Sequence, residues 1–339
     1  MKKVYLNTAV NISAQDTFDQ EGFLNETKEL SGKTITANYP NYKHYITPAN
    51  LRRMAEAVKM GVTAATQALK NMAITQPDAI ITGTGMGCID DTEKFLNAII
   101  SNSEQFLTPT SFIQSTHNTV GAQIALNLKC KAYNNTYSQA SVSFEWALMD
   151  AQVLLQQGEA ENVLVGGYEE LGKEIVTYRR MMEDADSLGI QVPFGEGATF
   201  FIVSSEKTEN SIELMDIEVW SKISTTSIQD NIMRFLEKNT LQLSEIDALI
   251  VGRNGDVFDH YYNLTADLFE NITQLHYKHL SGEFYTASSF GLWTAYEILS
   301  RQEIPKALIF KGETKSNKHT ILLYNQFKGR DHSFILLKR

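Results

Sequence analysis

Of the 339 residues, 40 are acidic and 30 basic; a formal charge of −10 argues against nucleic acid as a partner, because phosphate binding requires basic patches that release counterions. Cys88 and Cys130 are too few for a disulfide framework or a zinc site and read as buried small residues. No apolar stretch approaches the roughly 20 residues of a membrane span, and the opening MKKVYLNTAVNIS is too polar for a secretion signal, so a cytoplasmic protein without membrane insertion is expected.

In chain order, the first long helical pattern is LRRMAEAVKMGVTAATQAL (51–69), which places Arg52, Arg53 and Lys59 on one predicted helix. The apolar run 79–81 then enters GTGMGCI (83–89), whose glycines permit close backbone approach. A dinucleotide fold is disfavoured, because Cys88 stands at the third fingerprint position. Asp90 and Asp91 follow where a helix begins and read as an N-cap with a favourable dipole. Residues 135–138 are β-prone, 139–141 form a small-residue turn, and 142–157 suit a buried helix that Gly158 ends. Another apolar run, 162–165, closes on Gly166 and Gly167. Strand, sharp elbow, buried helix and strand follow one another, and such an elbow holds Ser141 at a helix N-terminus, where backbone amides favour a developing anion. Residues 199–205 read as a closing strand and 206–210 as a polar link; strand 212–220, helix 231–239 and strand 247–251 then begin a second lobe. His276 and His279 share helical spacing but have no third ligand, so no metal site is expected.

Residues 140–167 resemble the elbow of the β-ketoacyl-acyl-carrier-protein synthases, in which an Ala-Cys pair precedes a buried helix, a Gly-Asp-Ala-like turn and a Gly-Gly pair. The spacing from Ser141 to Gly166 matches without a gap. Segments 51–69, 83–89, 108–125, 195–198 (GEGA) and 325–339 resemble further family landmarks in the family's order. The resemblance implies an α/β fold, a thiolase-like five-layered αβαβα sandwich of two βαβαβαββ halves, here 1–207 with the elbow and 208–339.

Three departures bear on function. Ser141 stands at the family's cysteine, Gly252 at the first histidine and Ser288 at the second; the last loop keeps Phe327 and Gly329 but has Lys328, Arg330 and Asp331 among its small residues. Decarboxylative condensation needs a thiolate for the acyl chain and donors for the developing negative charge. Serine cannot replace the thiolate without a base, so no catalytic residue for condensation is expected. The resemblance implies instead a chain-length-factor-like subunit, similar to those of polyene-pigment synthases. Such a subunit pairs with a catalytic ketosynthase, meets an acyl carrier protein, shapes the acyl tunnel and needs no cofactor. By the same resemblance Asn134, Asn135, Thr136 and Tyr137 form a strand pairing across the dimer axis. Met86, Phe112 and Ile113 approach the tunnel, His117 and Asn118 form a polar pair near the pocket or subunit boundary, and Phe327 closes the last loop. Arg52, Arg53 and Lys59 are candidates for carrier docking, with a solvated helix face as the plainer reading.

Two other readings stay open. Ser141 could be the nucleophile of an acyltransferase or hydrolase, with Glu145 one turn beyond it and a base from His117 or His332; Glu145 equally suits the helix N-terminus as a dipole complement. Alternatively, the chain is a non-catalytic homodimeric acyl-binding protein.

Overall fold

The computed structural model describes residues 2–185, 188–313 and 317–339. In the first half, β1 (Tyr5–Ile12), α1 (Pro48–Leu51), α2 (Glu56–Asn71), β2 (Ala79–Gly83), α3 (Ile89–Ser101), α4 (Pro109–Gln114) and α5 (Thr119–Leu128) lead to the elbow. There β3 (Tyr133–Tyr137) meets α6 (Ser143–Gln157); β4 (Asn162–Glu169), α7 (Lys173–Ala185) and β5 (Gly197–Ser204) complete the half. The second half runs β6 (Ile212–Ser221), α8 (Ile228–Lys238), β7 (Ala248–Val251), α9 (His260–Leu268), β8 (Thr273–His276), α10 (Lys278–Ser281) and α11 (Ser288–Arg301). It ends with β9 (Ile309–Lys311), β10 (Thr320–Phe327) and β11 (Asp331–Lys338).

The strand order is β3-β2-β4-β5-β1-β6-β11-β10-β7-β8-β9. Each half contributes the same arrangement, with β5 and β11 antiparallel to the strands beside them and β9 added at the far edge. Side chains alternate across each strand and so divide between layers. Ile80, Leu164 and Phe200 pack outward under α2 and α5, whereas Ile81, Val165 and Phe201 pack inward on α6 and α11. In the second half Leu249, Leu322 and Phe334 face α8 and α9, while Ile250, Leu323 and Ile335 face the same middle helices. Helix, sheet, helix, sheet and helix are therefore stacked, the thiolase-like five-layered sandwich expected.

The two halves join at a narrow seam, where only Tyr5↔Glu213 and Leu6↔Ile212 pair β1 with β6. A bulge at Asn7 shifts the register against β5. Two residues then oppose one, and the faces exchange. Val4 and Leu6 lie in the middle layer, whereas Val10 and Ile12 lie under α2.

Two expected helix starts are corrected. The pattern 51–69 is broken: α1 ends at Leu51, Ala55 is extended, and α2 starts at Glu56 with no cap of its own. Its cap is tertiary, since Ala57 N donates to the Glu170 carboxylate at 2.7 Å. Cys88, not an aspartate, is the N-cap of α3, and Asp90 and Asp91 lie in its first turn.

Candidate functional site

At the elbow β3 passes through a 3-10 turn, Ala140–Val142, into α6. Ala140 has φ +48°, unusual for a residue with a side chain. The turn is held by Ser143, whose hydroxyl accepts from Gln139 N at 2.8 Å and donates to Ala140 O at 2.7 Å. Ser141 is only 2% exposed, and its hydroxyl donates to Asp331 Oδ2 at 3.2 Å. Asp331 thus turns the departure in the last loop into a partner for the departure at the elbow.

Neither proposed base meets this hydroxyl among the described residues. His332 follows Asp331 on β11, so strand alternation sends it to the opposite face. There its Nδ1 bonds Tyr324 Oη at 2.9 Å and its ring lies against Tyr261. His117 and Asn118 are exposed; His117 lies against Gly87, and its carbonyl accepts from Tyr168 Oη at 2.5 Å.

The other two degenerate positions are occupied. A Cβ on Gly252 would lie 2.5 Å from Asn325 Oδ1, 2.8 Å from Tyr277 Oη and 2.9 Å from Lys278 Cε. Tyr277 Oη donates to Asn325 Oδ1 at 3.1 Å, and Lys278 pairs with Glu283 at 2.7 Å, both 2% exposed. Ser288, at the start of α11, lies beside Glu145. Glu145 lies in the first turn of α6, as a dipole complement would, but it is fully buried there and accepts from Ser333 Oγ at 2.8 Å. Burial pushes its carboxyl above the ordinary carboxylate range, while the Ser333 bond, the nearby Ser288 hydroxyl and the Lys278 charge pull the other way.

The glycine-rich run is packed as closely as the sequence suggested. A side chain on Gly83 would strike Ser143 O, and one on Gly85 the Tyr285 ring. Beneath it Glu169 accepts from Thr84 Oγ1 at 3.1 Å, from Gly85 N, and from Met86 N at 3.1 Å. Glu170 accepts from Ala57 N and Asp90 N, joining the free amides of α2 and α3. Burial pushes Glu169 up to about 8 and Glu170 to about 7, against the pull of these donors. Lys278, Glu283 and the two glutamates were not singled out by sequence reasoning. The signal available was a pair of acids, Glu169 and Glu170, directly after the apolar strand's Gly-Gly.

Met86 lines a cavity of only about 20 Å³, with Glu169, Arg179, Glu283 and Tyr285 on its wall. That is room for about one water. Arg179 fills the approach, lying 4.4 Å from the Phe194 ring centre and 4.8 Å from that of Tyr285; Phe327 packs on Tyr285. Phe112 and Ile113 are not on this wall. They project from α4 at 55% and 64% exposure, and Phe112 packs on Phe95 of α3 with ring centres 5.2 Å apart. The strand carrying Asn134, Asn135, Thr136 and Tyr137 is the edge of the sheet, paired only with β2.

Arg52 and Arg53 are exposed in the break between α1 and α2, whereas Lys59 lies on α2 and pairs with Glu56 at 2.9 Å, so the three do not share one helix. His276 ends β8 and His279 lies on α10; their rings stack at 3.9 Å rather than sharing a helix face. Among the described residues no three metal-ligating side chains converge. Cys88 is buried, but Cys130 is only half-buried. No described helix is long and apolar enough to cross a membrane.

The family described as "Beta-ketoacyl synthase, N-terminal domain" has a model that matches residues 29–217, more than half of the chain. No curated protein matches the sequence. Among solved structures, the ishigamide ketosynthase/chain length factor is 15% identical with a TM-score of 0.80, covering 99% of both chains. A beta-ketoacyl synthase from Burkholderia phymatum STM815 is 16% identical with a TM-score of 0.81, covering 100% of both. The ketosynthase ApeO in complex with its chain length factor ApeC, from Xenorhabdus doucetiae, is 15% identical with a TM-score of 0.75, covering 99% of this chain and 98% of that one. At these identities the likeness is one of fold.

Proposed function

The chain belongs to the beta-ketoacyl synthase family, and from that premise we propose that it is a non-condensing, chain-length-factor-like subunit. It pairs with a catalytic ketosynthase and shapes the acyl tunnel from its side of the interface. One observation carries this reading: none of the three positions that would hold the chemistry has a reactive side chain, and two of them are engaged otherwise. Ser141 bonds Asp331, Gly252 is packed against Tyr277, Asn325 and Lys278, and Ser288 lies beside the buried Glu145. No imidazole reaches the elbow among the described residues, so nothing there can make a thiolate or hold an enolate.

The surface supports the pairing. An edge strand invites another chain unless it is covered, and β3 carries the exposed Tyr133 and packs on α6, which exposes Trp146. Phe112 and Ile113, exposed on α4, meet the acyl tunnel across that interface. The acyl carrier protein docks through exposed Arg52 and Arg53, with no part for the paired Lys59. Two similar structures, the ishigamide ketosynthase/chain length factor and ApeO with its chain length factor ApeC, are consistent with this assembly.

One observation favours the Ser141 acyltransferase reading, the carboxylate 3.2 Å from its hydroxyl. Co-expression with a Cys-His-His ketosynthase from the same host tests the proposal, with an acyl thioester added to the purified chain alone. A co-purifying pair and an unlabelled Ser141 are expected. A stable homodimer that never recovers the ketosynthase overturns the pairing; an acyl adduct on Ser141 overturns the non-condensing assignment in favour of acyl transfer.

A further inference from the structure

Away from the elbow, a cleft of about 510 Å³ opens at the seam between the halves. It exists because β6 leaves β1 after Leu6, so that from the Asn7 bulge onward β1 has a partner strand on one side only. Which backbone groups face the open side follows from antiparallel alternation. Asn7 O accepts from Tyr296 Oη at 3.1 Å and Asn11 O from Thr17 Oγ1 at 3.2 Å, both outside the β5 ladder. Ala9, midway between them, therefore also directs its N–H and C=O away from β5. Ala9 lines the cleft, and no hydrogen bond among the described residues engages its backbone on that side. At the pseudo-equivalent place on β6, two residues beyond that strand's own bulge, the edge amide is covered, since Ile217 N donates to Asp216 Oδ1 at 3.0 Å.

One donor and one acceptor, presented side by side on a strand edge, match a single peptide unit. The cleft walls suit the flanking groups of such a ligand. Trp293 and Tyr296 give aromatic surface, and Gln67 and Asn71 give side-chain amides. Charge gives the sign: Arg301 is neutralised by Glu297 at 2.5 Å, which leaves Asp19 and Glu21 on the wall. We propose that this cleft binds a short extended peptide with neutral or basic side chains, which pairs its backbone with Ala9 as a one-residue extension of the sheet.

Calorimetric titration of the full chain with acetyl-Ala-Lys-Ala-amide and acetyl-Ala-Glu-Ala-amide tests this. The lysine peptide is expected to bind and the glutamate peptide to bind at least several-fold more weakly. Ala9→Pro removes the outward N–H on the side of β1 that has no partner strand there, and should weaken binding roughly tenfold, the effect of one lost hydrogen bond. Hydrogen exchange on the unmodified chain is a second readout, in which the lysine peptide should slow the amide of Ala9. The proposal is overturned if neither peptide binds, if the glutamate peptide binds as tightly as the lysine peptide, or if Ala9 exchanges at the same rate with and without the peptide.

Discussion

A histidine introduced at Gly252 would have to enter a space already held by three buried side chains. The first carbon alone would stand 2.5 Å from Asn325 Oδ1, 2.8 Å from Tyr277 Oη and 2.9 Å from Lys278 Cε, where ordinary contact needs more than 3.4 Å. None of the three can step aside freely, because Tyr277 and Asn325 bond each other and Lys278 is paired with Glu283 away from water. Forcing extra atoms into a packed core costs about 1–3 kcal/mol, and separating a buried ion pair about 3–5 kcal/mol. Gly252→His should therefore lower stability by about 3 kcal/mol or more, and Gly252→Ala should cause much of that loss, because the clash begins at Cβ. Urea unfolding of the two variants beside the parent measures both. The triple variant Ser141→Cys, Gly252→His, Ser288→His should not regain condensation. Parental stability in Gly252→His, within about 0.5 kcal/mol, or condensation by the triple variant would show that the position is simply vacant and the reasoning wrong.

Ser141→Ala removes one hydrogen bond to a carboxylate and should cost about 1–2 kcal/mol in urea unfolding, with turnover of the ketosynthase complex changed by less than about twofold; a large rate loss would mark Ser141 as a nucleophile. Glu169 and Glu170 are raised from an ordinary 4.5 to about 8 and about 7, so the folded chain binds more protons than the unfolded one between those values. Stability should be highest on the acid side of that window and fall as pH rises from about 4.5 to 8, by up to about 1.4 kcal/mol per pH unit for each group. Unfolding midpoints at pH 5, 6.5 and 8 check the sign, and Glu170→Gln should flatten the lower part of the slope. Ile100→Asp with Phe106→Asp, at side chains 77% and 92% exposed, should leave the free chain's unfolding midpoint within about 0.5 kcal/mol of the parent yet weaken recovery of the ketosynthase at least tenfold. Unchanged recovery would remove these two side chains from the interface.

The elbow was legible because its signals are local: a β-prone run, small residues, an uninterrupted apolar helix and Gly158, which has the left-handed φ of +77° that ends it. What escaped sequence reasoning depends on distant partners. The break before α2 has no strong breaker in Arg52–Ala55; it follows from Glu170, 113 positions away, taking the Ala57 amide. His332 was a candidate base only until hairpin register placed it on the far face from Asp331. The bulge at Asn7 was invisible for the same reason, since it depends on where β5 and β6 lie. Nothing in the sequence singled out Lys278 and Glu283, and only the packing around Gly252 gives the pair a place.

An enzyme that had merely lost its reactive groups would keep holes where they stood, and each hole costs stability. This chain instead has Asp331 on Ser141, the Tyr277–Asn325 pair across Gly252 and only about 20 Å³ beside Met86. Yet the elbow itself is retained, including the unfavourable φ of Ala140 and the Ser143 bonds that hold it. Strain of that kind persists where surrounding structure requires it. A homodimer would bring together two elbows without a thiolate and gain no chemistry from the geometry. Beside a Cys-His-His partner, the same turn sets the direction of β3 and presents its open edge, so the geometry keeps a use after the nucleophile has gone. Packed family positions and a preserved elbow are thus both consistent with the dependence on a catalytic partner proposed above.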